Sequence, residues 1–216
     1  MEIKIEKTLK NLERNNMKAY YCETKEEALE LVKKIIPQGG TVSHGGSETL
    51  KETGIIEILN SGSYNYLDRS KCKTPEETEE LYRKCFSADV YVTSSNAITE
   101  NGELYNVDGN SNRIACIAYG PTNVLVIAGV NKIVENLEKA VERVKTLCAP
   151  KNTRRLNLET FCSHKDSCVS LSGENEAFMS DGCSSPERIC CNYLVSAQQR
   201  KKDRIKVIII NEELGY

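Results

Sequence analysis

The sequence predicts an α/β fold in which a central, mostly parallel sheet carries helices on both faces. Three observations predict it. Short apolar runs alternate with segments of helical periodicity along most of the chain. Val124-Leu125-Val126-Ile127-Ala128 is apolar at every position, the pattern of a strand covered on both sides. Thr24 with Glu27, and Thr74 with Pro75, Glu76 and Glu77, are helix-start signatures placed between such runs. At 216 residues and 24.2 kDa the chain holds one domain of this kind.

Taken in order, Ile5, Leu9 and Leu12 lie at helical spacing in a charged segment and predict a first helix, followed by a strand over 18–22. Ala28, Leu31, Val32, Ile35 and Ile36 continue a helix over 24–36, stopped by Pro37 and Gly39-Gly40. Thr41-Val42-Ser43 is a short strand running into Gly45-Gly46-Ser47, after which 48–52 opens a helix. The helix from Thr74 ends near Phe86, with Pro75 at the first turn where its missing donor costs least. Asp89 to Thr93 is a buried strand. In the polar stretch 94–113, Glu103 to Val107 predicts one leg of a hairpin, Ile114 to Ile117 the other, with Asn and Gly in the turn. Ile133, Leu137, Val141, Val144 and Leu147 mark the helix that follows the apolar strand. After Pro150 the segment 151–198 holds five of the ten cysteines and a Ser/Gly/Glu-rich irregular loop over 170–182. A last strand, 205–211, returns to the sheet, so the cysteine segment reads as an insertion-like excursion within a single domain spanning 1–216.

Composition removes several classes of function. With 29 Lys plus Arg against 31 Asp plus Glu and a pI near 5.9, the chain has no basic excess for a phosphate backbone, which excludes nucleic acid as the expected partner. No apolar run approaches the roughly 20 residues of a membrane helix. Met1 is followed by charged, helix-like sequence, not by the basic start and apolar core of a secretory signal, so the expected location is cytoplasmic and the cysteines are expected to be thiols or metal ligands.

Three constellations carry chemistry. Cys162, Cys168, Cys183 and Cys190 are spaced C-x5-C-x14-C-x6-C, with Cys191 next to the last. Thiolates converging from a loop-rich segment suit an iron–sulfur cluster or zinc, and His164 is an alternative ligand. Free thiols in a surface loop are the simpler reading. Gly45, Gly46 and Ser47, at a strand-to-helix turn, suit a small carboxylate or phosphate-bearing ligand or simply make a tight turn, with His44 beside them. The third is the run leaving the carboxyl end of a buried strand, where ligands bind in open α/β sheets. There Thr93, Ser94, Asn96, Asn106, Asp108, Asn110, Asn112 and Arg113 can line a polar site or form a hairpin with a surface ion pair. The basic run Arg200-Lys201-Lys202 with Arg204 and Lys206 is a docking patch or a solvated face, the latter being commoner.

Gly45-Gly46-Ser47-Glu48-Thr49-Leu50, Ser95-Asn96-Ala97-Ile98-Thr99-Glu100-Asn101-Gly102, Val107-Asp108-Gly109-Asn110-Ser111-Asn112-Arg113 and Val126-Ile127-Ala128-Gly129-Val130-Asn131-Lys132-Ile133-Val134, in this order, resemble the LUD domain, the lactate-utilization protein family. The resemblance covers most of the chain. It implies a three-layer α/β sandwich like the CoA-transferase and ribose-5-phosphate-isomerase superfamily, and a role in lactate oxidation to pyruvate alongside iron–sulfur partner proteins; as a subunit, the protein would have an iron–sulfur or flavin protein as its partner. Thr160-x-Cys162 and Ser185-Pro186-Glu187-Arg188-Ile189-Cys190 resemble the branch with a four-cysteine array, which implies a 4Fe-4S cluster on Cys162, Cys168, Cys183 and Cys190, with zinc as the alternative. Here the gap between Cys168 and Cys183 is longer than in that branch, and His44 stands where an aromatic residue is usual. Glu100-Asn101-Gly102 resembles the element that carries the nucleophilic glutamate of CoA transferases, which implies Glu100 as catalytic residue of an acyl transfer. A metal-stapled binding subunit is the non-enzymatic alternative.

Overall fold

A computed structural model describes residues 2–173 and 177–216. Along the chain run α1 (Ile3–Arg14), β1 (Lys18–Cys22), α2 (Lys25–Ile35), β2 (Thr41–His44), the short α3 (Glu48–Glu52) and α4 (Ile55–Leu59), β3 (Asn65–Leu67), α5 (Pro75–Cys85) and β4 (Val90–Thr93). There follow β5 (Ala97–Thr99), β6 (Leu104–Asp108), α6 (Asn112–Ala118), β7 (Asn123–Gly129), β8 (Ile133–Val134), α7 (Leu137–Arg143), α8 (Ala149–Arg155), α9 (Phe161–Lys165), β9 (Asn192–Ser196) and β10 (Ile205–Ile210). The six strands β1-β10-β7-β4-β2-β3 form one sheet in which every pairing is parallel. A second, mixed sheet has the order β8-β5-β6-β9.

The apolar pattern explains the layering. On one face Ala28 and Val32 of α2, Leu50 of α3 and Ile55 and Leu59 of α4 pack on Val42, Val92, Leu125, Ile127, Ile208 and Ile210. On the other, Ile5 and Leu12 of α1 and Ile117 of α6 pack on Val124, Val126, Val207 and Ile209, together with Ile98 and Leu104 of the second sheet. Successive residues of β7 and β10 therefore enter opposite apolar cores, which is why Val124–Ala128 and Val207–Ile210 read as unbroken hydrophobic runs. The second sheet obeys the same alternation: Ile98 and Leu104 face the main sheet, while Ala97 and Tyr105 face Ala140, Val144 and Ala149 of the helical run beyond. Both predicted caps form, with Thr24 Oγ1 accepting from Glu27 N–H at 3.3 Å and Thr74 Oγ1 from Glu77 N–H at 3.2 Å. Among the described residues no helix is long and apolar enough to cross a membrane.

Two elements differ from the sequence expectation. Residues 114–117 are not a hairpin leg but part of α6. Ile114 and Ile117 share a helical face, and the Asp108 carboxylate accepts from the Arg113 and Ile114 N–H groups at 3.1 and 2.9 Å, capping the helix from outside it. Strand β6 pairs instead with β5 and with β9, a strand inside the cysteine segment that local sequence did not show. Pro150 sits in the first turn of α8, joined to α7 by a π-helical turn over Val144–Cys148. The irregular loop predicted over 170–182 includes residues 174–176, which lie outside the described residues.

Candidate functional site

The carboxyl ends of β2, β4 and β7, neighbours in the main sheet, open into a polar cavity of about 730 Å³. This is the edge at which ligands enter open α/β sheets. Of the residues expected from sequence, Gly46, Ser47, Ser94 and Asn96 line it, as do Asp108, Asn110, Asn112 and Arg113. Gly45, Thr93 and Asn106 lie behind this lining and support it.

Arg113 is the centre of that support. Its Nε donates to Asp108 Oδ1 at 2.9 Å, Nη1 to Ser94 O and Asn106 Oδ1, and Nη2 to Asn96 Oδ1 and Val107 O, with the same Asp108 oxygen 2.7 Å away. All three guanidinium nitrogens are thus occupied by protein acceptors. Arg113, which also lines the cavity, fixes the loop after β4 against β6. The glycine pair follows from the same packing. A Cβ on Gly45 would stand 2.9 Å from Arg113 Cδ, and one on Gly46 2.8 Å from the Arg69 guanidinium. The Gly45 N–H is spent on Val92 O at 2.9 Å, and Ser47 Oγ caps α3, so of the pair Gly45 serves to make room for Arg113 while Gly46 lies beside Arg69 in the cavity wall.

The residue missed from the sequence is Lys132, the last residue of the 3-10 turn Val130–Lys132 that follows β7. Its side chain lines the cavity, the residue is only 3% exposed, and its Nζ donates to Ser94 Oγ at 2.9 Å. No carboxylate pairs with it among the described residues. Burial, opposed by the nearby Cys148 and reinforced by Arg143 and Arg113, holds its pKa at about 7. Behind the cavity wall Arg143, 8% exposed, donates from Nη1 to Cys148 Sγ at 2.8 Å and to Asn96 O at 2.7 Å. Its Nη2 is buried without a partner among the described residues, and Cys148 lines the cavity. The available signal was a lysine just beyond a long apolar strand, at the sheet edge that binds ligands.

Glu100 is not in the cavity lining. It sits in the turn between β5 and β6, where its carboxylate pairs with Lys7 of α1 at 2.8 Å. Asn11 and Asn15 of α1 donate to the carbonyls of Glu100, Asn101 and Gly102, and a Cβ on Gly102 would lie 2.5 Å from the Asn11 backbone. The Glu-Asn-Gly turn is therefore the seat of α1, and its glycine is required by close approach of that helix. His44 hydrogen-bonds Tyr66 through Nδ1 at 2.8 Å, and burial together with Arg69 lowers its pKa to about 4, leaving the ring neutral near pH 7. The basic run is also partly internal: Arg204 donates to the carbonyls of Cys116, Ile117 and Pro121, closing the end of α6.

Cys162, Cys168, Cys183 and Cys190 all line a second, narrow cavity of about 30 Å³ between α8, α9 and the second sheet. Their proximity shows in Cys190, whose thiol is pushed up to about 12 by burial and by the neighbouring Cys162, Cys168 and Cys183. As placed, no three of them converge on one metal position among the described residues. The donor set nonetheless suits a soft metal. Two cations wrap it: Arg188 donates to the carbonyls of Ser180, Cys183 and Cys190, and Lys145 donates to Ser170 Oγ and Asp181 O. Cys191 is exposed and belongs to the polar cavity, and His164 is exposed and bonds Glu159 at 2.9 Å, so neither joins the four.

The LUD domain family model matches residues 5–210. The chain belongs to the LUD domain family. A DUF162 family protein from Deinococcus radiodurans has the same fold, with a TM-score of 0.53 at 10% identity over 96% of each chain. Ribose 5-phosphate isomerase from Plasmodium falciparum aligns with a TM-score of 0.33 at 17% identity over 52% of each chain. The eIF2B delta of Chaetomium thermophilum aligns at 0.36 and 17% over 52% of this LUD domain and 48% of that chain. No curated protein matches this LUD domain. Membership of the family points to a lactate-utilization-type function.

Proposed function

We propose that this LUD domain acts in cytoplasmic redox metabolism of small 2-hydroxy acids, binding the acid in the polar cavity beside an iron–sulfur cluster held by Cys162, Cys168, Cys183 and Cys190. The observation that carries the reading is Cys190, which lines both cavities, so a ligand in one lies against the wall of the other. Lys132 and Arg69 line the polar cavity without a carboxylate partner among the described residues, whereas Arg155 is tied to Asn152 and Tyr216 and lies 3.5 Å from Glu48. Of the acidic groups on that wall, Asp108 is held by Arg113, Glu48 by Lys51, and Glu187 accepts from Glu159 N–H. With five cationic side chains (Arg69, Arg113, Lys132, Arg155, Arg188) against three carboxylate side chains on the wall, the balance is positive and favours a carboxylate.

A 4Fe-4S cluster with four thiolates is anionic and would supply one-electron transfer, and Lys145 and Arg188 are placed to offset that charge. Zinc on the same thiols is the alternative, serving as a staple for 151–198. An iron–sulfur or flavin protein is the electron partner. Protein purified without oxygen and reconstituted with iron and sulfide tests the reading. It should be brown, absorb near 400 nm and contain iron and sulfide that a Cys190→Ser variant loses. Colourless, iron-free protein after reconstitution removes the cluster, and zinc alone makes the site structural.

A further inference from the structure

Lys132 is more deeply buried than anion capture requires, and no carboxylate pairs with it among the described residues. We propose that Lys132 is a nucleophilic amine that forms an imine with the carbonyl carbon of a 2-oxo acid held in the polar cavity, a step that rests on the small-acid reading above. The geometry carries it. The side chain lies at the carboxyl end of β7, faces a cavity large enough for a small acid, and has Ser94 Oγ at 2.9 Å as its hydrogen-bond partner. The groups that act on it are the Arg143 and Arg113 guanidinium groups, the Cys148 thiol and, among carboxylates, Glu52. Burial and the two arginines keep much of the amine unprotonated near neutral pH, the condition for nucleophilic attack by a lysine.

In the step, the Nζ lone pair adds to the carbonyl carbon while the carbonyl oxygen takes up a proton, giving a carbinolamine. Loss of its hydroxyl as water, together with the nitrogen proton, leaves the C=N bond. No electrons are exchanged, and no co-reactant is consumed. Ser94 Oγ is within reach to relay the proton between nitrogen and oxygen. A 2-hydroxy acid has no carbonyl for this reaction, so the amine separates the oxidised from the reduced form of one carbon skeleton.

The full-length protein is incubated with pyruvate, treated with borohydride and mapped by peptide mass spectrometry, with pyruvate and lactate binding measured in parallel by calorimetry. One reduced adduct per chain is expected on the peptide containing Lys132, none with lactate, and none in folded Lys132→Arg. Pyruvate that binds without being trapped, or an adduct on any other lysine, overturns the imine while leaving the anion cavity standing. Binding of neither acid removes both readings. The wild-type peptide map decides the matter if Lys132→Arg does not fold.

Discussion

Replacing Lys132 by Met should stabilise the protein, and by an amount that depends on pH in a defined way. In the folded chain Lys132 titrates at about 7, against 10.5 for an unperturbed lysine. At 1.36 kcal/mol per pKa unit, that depression corresponds to roughly 5 kcal/mol of folding free energy lost below pH 7, where the buried ammonium must be kept charged. Between pH 7 and 10.5 the unfolded chain binds the extra proton, so wild-type stability rises with pH and the penalty fades. The Met variant has no such slope. It forfeits the bond to Ser94, which costs about 1 kcal/mol and leaves a buried hydroxyl to find another partner. The net gain is on the order of 3–4 kcal/mol at pH 6, falling to roughly 1 kcal/mol at pH 9. Arg143, Arg113, Cys148 and Glu52, the charged and titratable neighbours that act on Lys132, are common to both proteins and largely cancel in the difference. Urea denaturation of both proteins at pH 6, 7, 8 and 9 reads this directly. A variant less stable than wild type at pH 6, or a difference that does not change with pH, would refute the claim that Lys132 is a buried, unpaired cation.

Arg113→Met should cost roughly 3–5 kcal/mol in the same assay, because it leaves the Asp108 carboxylate buried without its cation and frees the loop after β4. Glu100→Gln should cost less than about 1 kcal/mol, the scale of a partly exposed ion pair with Lys7, and should leave ligand binding in the polar cavity unchanged. Loss of binding in that variant would return Glu100 to the site.

The alternation of strands and helices was legible because each signal was local. Thr24 and Thr74 cap the helices they precede, and the unbroken run of β7 marks a strand between two apolar layers. Strand β9 was not legible. Its pairing partner β6 is far away in sequence, Tyr105 opposite Val195, and only that pairing makes 192–196 extended. Ile114 to Ile117 has β-branched residues that favour a strand, and the Asp108 cap that overrides the preference lies outside the segment. The polar cavity was legible as a set of hydroxyls, amides and Arg113, but the division of labour within it was not. Spacing cannot show that every nitrogen of Arg113 is occupied while Lys132, among the described residues, is bonded only to a serine hydroxyl. The clustering of cysteines singled out four side chains that do line one cavity, and the fold, not the spacing, separates them from Cys191.

The wall shared by the two cavities has its own physical logic. Residues 137–155 run as one helical rod interrupted by the π turn Val144–Cys148. Val144 and Ala149, five residues apart as the wider period of that turn requires, line both cavities. Lys145 faces the cysteines, Cys148 faces the polar cavity, and Arg143 reaches behind Cys148 with a buried nitrogen to spare. Arg143, Lys145 and Lys132 are all buried, and none has a carboxylate partner among the described residues. Buried cations without anions are strongly unfavourable, so a negative group bound beside Lys132 would stabilise the fold as well as fill the polar cavity. Because Val144, Ala149 and Cys190 line both cavities, a charge bound in the first alters the field at the second. That coupling predicts that a carboxylate bound beside Lys132 perturbs whatever the four cysteines hold.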